Sequence, residues 1–210
     1  MCGYIDIRDR AGLHAWLAAF DTDGAVDLLI ANAGVSAGLG KGGSRETDED
    51  AERLADINYK GTVNTISGIV ESMRHRRSGQ IAIISSLSGL QALPTMPSYS
   101  ATKSALVAYG HSIRGWLRGS GVAVTIICPG FITSSMSKRH RGAKPFEVSV
   151  QDAVTKIKRG LEKRRPMIAF PWQLAFGIWL TNLIPVRLED WIMKYFQANI
   201  DPDDGKPKPK

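Results

Sequence analysis

The residues best equipped for chemistry lie in Gln80–Tyr109. Within it, Tyr99-Ser-Ala-Thr-Lys103 sets a phenol and an amine four residues apart, which on a helix places both on one face, one turn apart. An ammonium beside a phenol favours the phenolate and is expected to lower the phenol pKa from about 10 toward working pH. A phenol tuned in that way exchanges a proton with a carbonyl or alcohol oxygen. Just upstream, Ser85 and Ser86 follow an apolar run, and the Ser86 hydroxyl is placed to hold the same oxygen by a hydrogen bond.

These groups need a scaffold, and the surrounding sequence predicts one. Ile81-Ala82-Ile83-Ile84 is short, apolar and β-branched, the pattern of a buried parallel strand that delivers its last side chains to the ligand edge of a sheet. Gly89, Pro94 and Pro97 break the chain, and Ser98 reads as the N-cap of a helix from Tyr99 to about Leu117. Met1–Ile7 reads as a short strand, Asp9 as the cap of a helix over Ala11–Phe20, and Val26–Ala31 as a buried strand running into Asn32-Ala33-Gly34. Thr47–Arg74 reads as one long helix with a capping-box-like start at Thr47. Val122–Cys128 is a further apolar strand, Ser149–Arg165 a helix, and Pro166–Ala169 a last short strand. Strands alternating with helices predict an α/β fold, a doubly wound parallel sheet.

The order of apolar strand, serine pair, Gly/Pro loop and YSATK resembles the short-chain dehydrogenase/reductase family. The resemblance covers nearly all of Met1–Ala169. It picks Ser86 over Ser85, because the family's serine stands thirteen residues before its tyrosine. It implies hydride transfer between a nicotinamide cofactor, NAD or NADP with NADP favoured, and an alcohol/carbonyl pair. Tyr99 would be the general acid or base. Lys103 would depress its pKa and hold the cofactor ribose, and Ser86 would fix the substrate oxygen. Asn58, in Asn58-Tyr59-Lys60-Gly61, matches an asparagine whose backbone holds a proton-relay water. Asp6-Ile7 matches the pair that meets the adenine ring. Asn32-Ala33-Gly34 resembles the family's NNAG signature, with Ala31 in place of the first Asn. Asn32 stands there either for the ligand or to tie central strands together. Pro129-Gly130-Phe131-Ile132-Thr133-Ser134 resembles the segment that meets the nicotinamide carboxamide through Ile132, with Ser134 where Thr is usual.

Composition narrows the alternatives. The 210 residues suit one domain with a sizeable core, 43% hydrophobic and 22% charged. Two cysteines far apart, Cys2 and Cys128, give no disulfide framework and point to a reducing, cytoplasmic compartment, with Cys128 as core. The four histidines show no metal-ligand spacing, and no metal is expected. Basic residues cluster at His75-Arg76-Arg77, Lys138–Lys144 and Lys156–Arg165, within a net charge of +7. No aromatic platform interleaves with them, which argues against nucleic-acid binding. Met1–Gly12 lacks an apolar core and does not read as a secretory signal. Gly38–Ser44 fits neither the P-loop nor the dinucleotide fingerprint and reads as a flexible loop at the rim of the site. Ser137–Glu147 reads as a mobile basic loop over the substrate.

Three segments follow: 1–169, an incomplete Rossmann-like domain; 170–200, an aromatic helical extension; and 201–210, a Pro- and charge-rich tail expected to be disordered. Pro171–Phe196 carries Trp172, Phe176, Trp179, Leu180, Leu183, Leu188, Trp191, Ile192, Tyr195 and Phe196 at helical spacing. Pro171, Pro185 and polar residues interrupt it too often for a span of about 20 apolar residues. It reads as a lid on the substrate cleft, a face against a second subunit, or a contact with a membrane surface. The family's opening strand and TGxxxGxG turn are not in this sequence. Their absence is expected to leave Val26–Ala31 as an apolar sheet edge and to remove the pyrophosphate site. Two functions follow. One is an oxidoreductase acting on a small apolar alcohol or carbonyl, oligomeric at full length as the family commonly is. The other is a non-catalytic remnant that binds a partner or a membrane surface.

Overall fold

A computed structural model describes residues 3–141, 144–185, 187–188 and 199–200. Among these, the main sheet has four parallel strands in the order β1 (Leu28–Ala31), β2 (Gly79–Ile84), β3 (Val122–Pro129), β5 (Met167–Phe170). Alternation along the strands divides the core between the two faces of the sheet. Ile81, Ile83 and Val124 pack with Ile66, Ile69, Met73 and Leu106 on one face, while Ala82 and Ile127 pack with Ala153 and Leu161 on the other. On the first face lie α1 (Arg10–Asp23), α3 (Thr62–Ser67), α4 (Val70–His75) and α5 (Pro97–Trp116); on the second lies α7 (Val150–Glu162). This is the α/β, doubly wound parallel arrangement the alternation predicts.

Strand β1 is shorter than expected and lies at the sheet edge. It pairs with β2 on one side, and Leu28 and Ile30 are 42% and 47% exposed. An apolar β1 edge is therefore what the chain presents. The strand expected over Met1–Ile7 is not formed across its described part, since Gly3–Ile7 lies outside the sheet. A lone strand has no ladder partner, and the local groups take the backbone elsewhere. Asp9 N donates to Asp6 O (3.0 Å), and Asn64 Nδ2 donates to Ile7 O (3.1 Å).

Two helices differ from expectation. The stretch read as one helix from Thr47 begins as predicted, with the Thr47 hydroxyl accepting from Asp50 N over α2 (Asp48–Leu54). It then passes through a π-helical turn (Ala55–Gly61) and α3, and breaks at Gly68-Ile69 before α4. Helix α5 starts two residues before the expected position, with Met96 at the N-cap and Pro97 in the first turn, where a missing N–H costs nothing. Ser98 is not the cap: its N–H and hydroxyl both bond to the Glu46 carboxylate.

Near the C-terminus, Ser149 caps α7 as a serine should, accepting from Asp152 N. The basic stretch read as mobile carries a short helix, α6 (Ser135–Lys138), and a two-residue strand, β4 (His140–Arg141), paired antiparallel with β6 (Asn199–Ile200). Arg139 Nη2 donates to Ser36 Oγ at 3.0 Å, pinning this stretch to the loop after β1. Gly38–Ser44 is loop apart from one 3-10 turn at Lys41–Gly43. Helix α8 (Trp172–Thr181) packs Leu174, Ala175 and Ile178 on Leu87, Ile126 and Cys128. Its outer stripe, Trp172, Phe176, Trp179 and Leu180, is exposed. Among the described residues no helix is long and apolar enough to cross a membrane. Trp191, Ile192, Tyr195, Phe196 and the tail Asp201–Lys210 lie outside the described residues.

Candidate active site

Parallel β2 ends at Ile84, and the next residues carry the site. Ser85, fully inside, donates its hydroxyl to Lys103 O (2.8 Å), which locks the strand end against α5. Ser86 caps a 3-10 turn, Leu87–Gly89, by accepting from Ser88 N (3.2 Å), and it remains partly exposed. The turn lies tight on α5: a Cβ on Gly89 would meet Lys103 C and O at 2.7 Å. That close approach sets the distance between the serine turn and the helix face bearing Tyr99 and Lys103.

The three predicted groups converge. The Ser86 and Ser88 hydroxyls lie near enough to the Tyr99 phenol for both to lower its pKa. Lys103 Nζ lies 5.8 Å from the centre of the Tyr99 ring and donates to Ile84 O at 3.0 Å. Asn58 is fully buried in the π-helical turn and holds two elements to the site. Its Oδ1 accepts from Val35 N (2.8 Å), and its Nδ2 donates to Val35 O (3.0 Å) and to Thr102 Oγ1 (3.1 Å). A π turn in a longer helix redirects backbone carbonyls and recurs at functional sites. Gly34 completes the inner wall, where a Cβ would come within 3.3 Å of Asn58 Oδ1 and 3.5 Å of Lys103 Nζ.

The electrostatics differ from the sequence expectation. Burial pushes the Tyr99 phenol above its ordinary value, and hydrogen bonds from Ser86 and then Ser88 pull it part of the way back. The expected lowering by Lys103 is not what sets it. Burial takes the Lys103 ammonium down from 10.5 to about 8, partly opposed by the nearby Cys128 sulfur. The Cys128 thiol is itself pushed up to about 11, first by burial. Two desolvated groups one turn apart each favour the neutral form.

The remaining predicted residues, Asp6 and Ile7 apart, lie at the ends of β1 and β3. Asn32 and Ala33 are exposed at the end of β1, and the Asn32 side chain makes no hydrogen bond among the described residues, so it ties no strands together there. Gly130 N donates to Phe170 O (2.7 Å), which fixes the turn after β3. Ile132 bridges Val148, and the Ser134 hydroxyl caps α6. Pro129, the residue before that turn, is the last residue of β3. Asp6 is held at about 2 by hydrogen bonds from Arg8. The Ile7 side chain lies where a Cβ on Gly61 would stand, so Asp6-Ile7 sits against the π turn rather than in the sheet. Sequence reasoning missed Thr102, which stands between Tyr99 and Lys103 and anchors Asn58. It also missed Ser88 and the Arg139–Ser36 bond. Among the described residues no group of three or more His, Cys, Asp or Glu is placed to hold a metal ion.

The short chain dehydrogenase family model matches residues 2–145. The chain belongs to that family. An uncharacterised oxidoreductase of Myxococcus xanthus is 34% identical over 187 residues, covering 89% of this chain and 73% of its own length. The oxidoreductase UcpA of Salmonella typhimurium is 35% identical over 163 residues, 76% of this chain and 60% of its own. The chain therefore spans between about 60% and three quarters of the length of these relatives. Among solved structures, a short chain dehydrogenase of Burkholderia cenocepacia in complex with NADP superposes with a TM-score of 0.76, at 24% identity, over 90% of this chain and 76% of that one. A short-chain dehydrogenase of Streptomyces avermitilis gives 0.72 at 20% identity, over 91% of this chain and 77% of that one. The structural likeness establishes the parallel-sheet fold.

Proposed function

We propose that the chain carries the catalytic half of an NAD(P)-dependent oxidoreductase site that interconverts an alcohol and a ketone or aldehyde. The observation that carries this reading is the Tyr99 phenol beside the Ser86 hydroxyl, with the Lys103 amine one turn away, at the C-terminal edge of a parallel sheet. The fit to a nicotinamide nucleotide rests on Lys103 and Gly34. Among the described residues the buried Lys103 ammonium has one acceptor, Ile84 O, which leaves N–H donors for ribose hydroxyls. Gly34 lets backbone approach where any side chain would crowd Lys103 and Asn58.

A bound nicotinamide cofactor supplies the hydride and its two electrons. Ser86 holds the substrate oxygen, and Tyr99 gives it a proton in reduction or takes one in oxidation. Lys103 would hold the ribose, and Asn58 orders the relay that returns the proton from solvent. Asn32, Ala33 and Gly34 form the floor of the site. Pro129, Gly130, Ile132 and Ser134 would meet the cofactor's carboxamide, and Asp6 and Ile7 its adenine. The substrate is a small apolar carbonyl or alcohol, because α8 lays an uncharged apolar helix over the turn that bears Ser86.

The test is isotope transfer. NADPH deuterated at C4 is mixed with the chain and a panel of apolar ketones, and the products are read by mass. Deuterium on the carbinol carbon, lost in Tyr99→Phe, supports the reading. Transfer retained in Tyr99→Phe overturns it. The exposed stripe of α8 favours a second reading, a surface-binding module. No transfer by the wild-type chain, together with liposome binding abolished by Trp179→Glu, would support that one instead.

A further inference from the structure

We propose that Ser88 is a positioning residue of the proton-handling centre, a third hydroxyl that acts on the reacting oxygen through Ser86 and Tyr99. The inference rests on the reading of Tyr99 as the acid and base, and it adds a residue to it.

The geometry sets Ser88 apart from the structural serines around it. Ser85, Ser104, Ser112 and Ser120 each donate their hydroxyl to a backbone carbonyl, as serines serving only local structure do. The Ser88 hydroxyl does not. It donates to Ser86 Oγ at 2.8 Å, and Ser86 and Ser88 both act to lower the Tyr99 phenol's pKa. Ser88 is 6% exposed and Ser86 is partly exposed, so Ser88 is the more buried of the two.

Its effect follows from counting protons. Ser86 Oγ accepts from both the N–H and the O–H of Ser88. The backbone acceptor for the Ser86 proton is Pro129 O at 3.5 Å, too long for a strong bond. The Ser86 proton is therefore free to turn toward the Tyr99 oxygen or a substrate oxygen. A hydroxyl that already accepts is a stronger donor, because the chained bonds polarise one another. When Tyr99 releases its proton, Ser86 donates to the phenolate and Ser88 backs Ser86 or donates to the phenolate directly. Without Ser88 Oγ, Ser86 loses one of the two bonds it accepts, or the phenolate loses that donor directly. The phenol then becomes a weaker acid, and reduction slows.

The ionisable groups around this centre are Lys103 on the helix of Tyr99, Cys128 on β3 beside Lys103, and Glu46, which bonds Ser98 next to Tyr99. They are common to every variant, so their contributions cancel in a comparison. The chain is labelled with 13Cζ-tyrosine, the Tyr99 signal is assigned by its loss in Tyr99→Phe, and the five tyrosines are titrated. In Ser88→Ala the Tyr99 titration should move to higher pH, and in Ser88→Thr it should return. Turnover of Ser88→Ala should fall roughly tenfold to a hundredfold, the size of one hydrogen bond to a charged oxygen. Ser88→Cys, with a weaker donor of similar shape, covers the case in which Ser88→Ala does not fold and should titrate above wild type. A Tyr99 titration unchanged in the folded variants overturns the inference. The titration needs no turnover, so its outcome is separate from that of the isotope test on Tyr99→Phe.

Discussion

Asn58→Ala should cost far more stability than a helical asparagine usually does, and the reason is countable. Asn58 makes three hydrogen bonds, two to the backbone of Val35 and one to Thr102 Oγ1, from a fully buried position. At about 1 kcal/mol net per bond, with more where a buried partner is left unsatisfied, the loss is about 2–4 kcal/mol. Water can reach half-buried Val35, whereas Thr102 is buried, so the upper half of that range requires the Thr102 oxygen to be left without the bond it accepts. Thr102 Oγ1 also donates to Tyr99 O (2.8 Å), which holds its rotamer and limits relaxation. For a chain of this length the change lowers the Tm by roughly 5–15 °C, at 2–4 °C per kcal/mol. The assay is thermal unfolding followed by circular dichroism, with Asn64→Ala as the control. Asn64 makes one bond, to Ile7 O, and should lose about 1 kcal/mol. In the double variant Asn58→Ala/Thr102→Ala the losses should fall short of additive, because the two side chains share a bond. An Asn58→Ala chain within about 0.5 kcal/mol of wild type, the range of ordinary surface changes, would refute the reasoning.

Three further outcomes are expected. Lys103 has its pKa taken from 10.5 to about 8 by burial, so the folded chain holds fewer protons than the unfolded one between those values. Stability is therefore depressed in full below pH 8 and recovers as pH rises toward 10.5, by about 3 kcal/mol in total. Cys128, pushed up from 9.0 to about 11, works the other way above pH 9. The clean reading is the gain of wild type relative to Lys103→Met between pH 7 and 9; parallel curves would contradict it. Gly119 and Gly121 both have positive φ, +79° and +81°, but a Cβ on Gly121 would meet Arg77 O at 2.0 Å while one on Gly119 meets nothing. Gly121→Ala should exceed Gly119→Ala in cost by at least about 1 kcal/mol by urea denaturation, the size of a core overpacking strain; equal costs would refute the contact. The Cys128 thiol in a Cys2→Ser background should resist alkylation at pH 8 in the folded chain, because it is buried and protonated. Labelling at the unfolded rate would contradict that placement.

Much of the scaffold was legible in periodicity alone. Apolar β-branched runs located β2 and β3, and the four-residue spacing of Tyr99 and Lys103 located α5. What failed depends on contacts far away in sequence. Ser98 has the chemistry of a cap, yet Glu46, 52 residues away, captures it, and Pro97 starts the helix instead. The π turn at Asn58 differs from an α turn by one residue of backbone register, which no side-chain pattern records. Gly3–Ile7 has strand composition but pairs with no strand, and composition does not reveal partners. The direction of the Tyr99 pKa turns on burial against attraction. The YxxxK spacing reports the attraction and is silent on the burial. On α8 the helical period was plain, but which stripe packs and which faces outward was decided by Leu87 and Cys128. Ser88 carried no signal, since a serine four residues past a strand end is ordinary in any turn.

The central claim is that Tyr99 transfers the proton. The measurement that tests it most directly is the single-turnover rate of NADPH oxidation at 340 nm, with the ketone that turns over best, in wild type and Tyr99→Phe at saturating cofactor. Removing a positioned general acid should lower the rate by about a hundredfold or more, with cofactor affinity nearly unchanged. Equal rates in the two proteins would contradict the account.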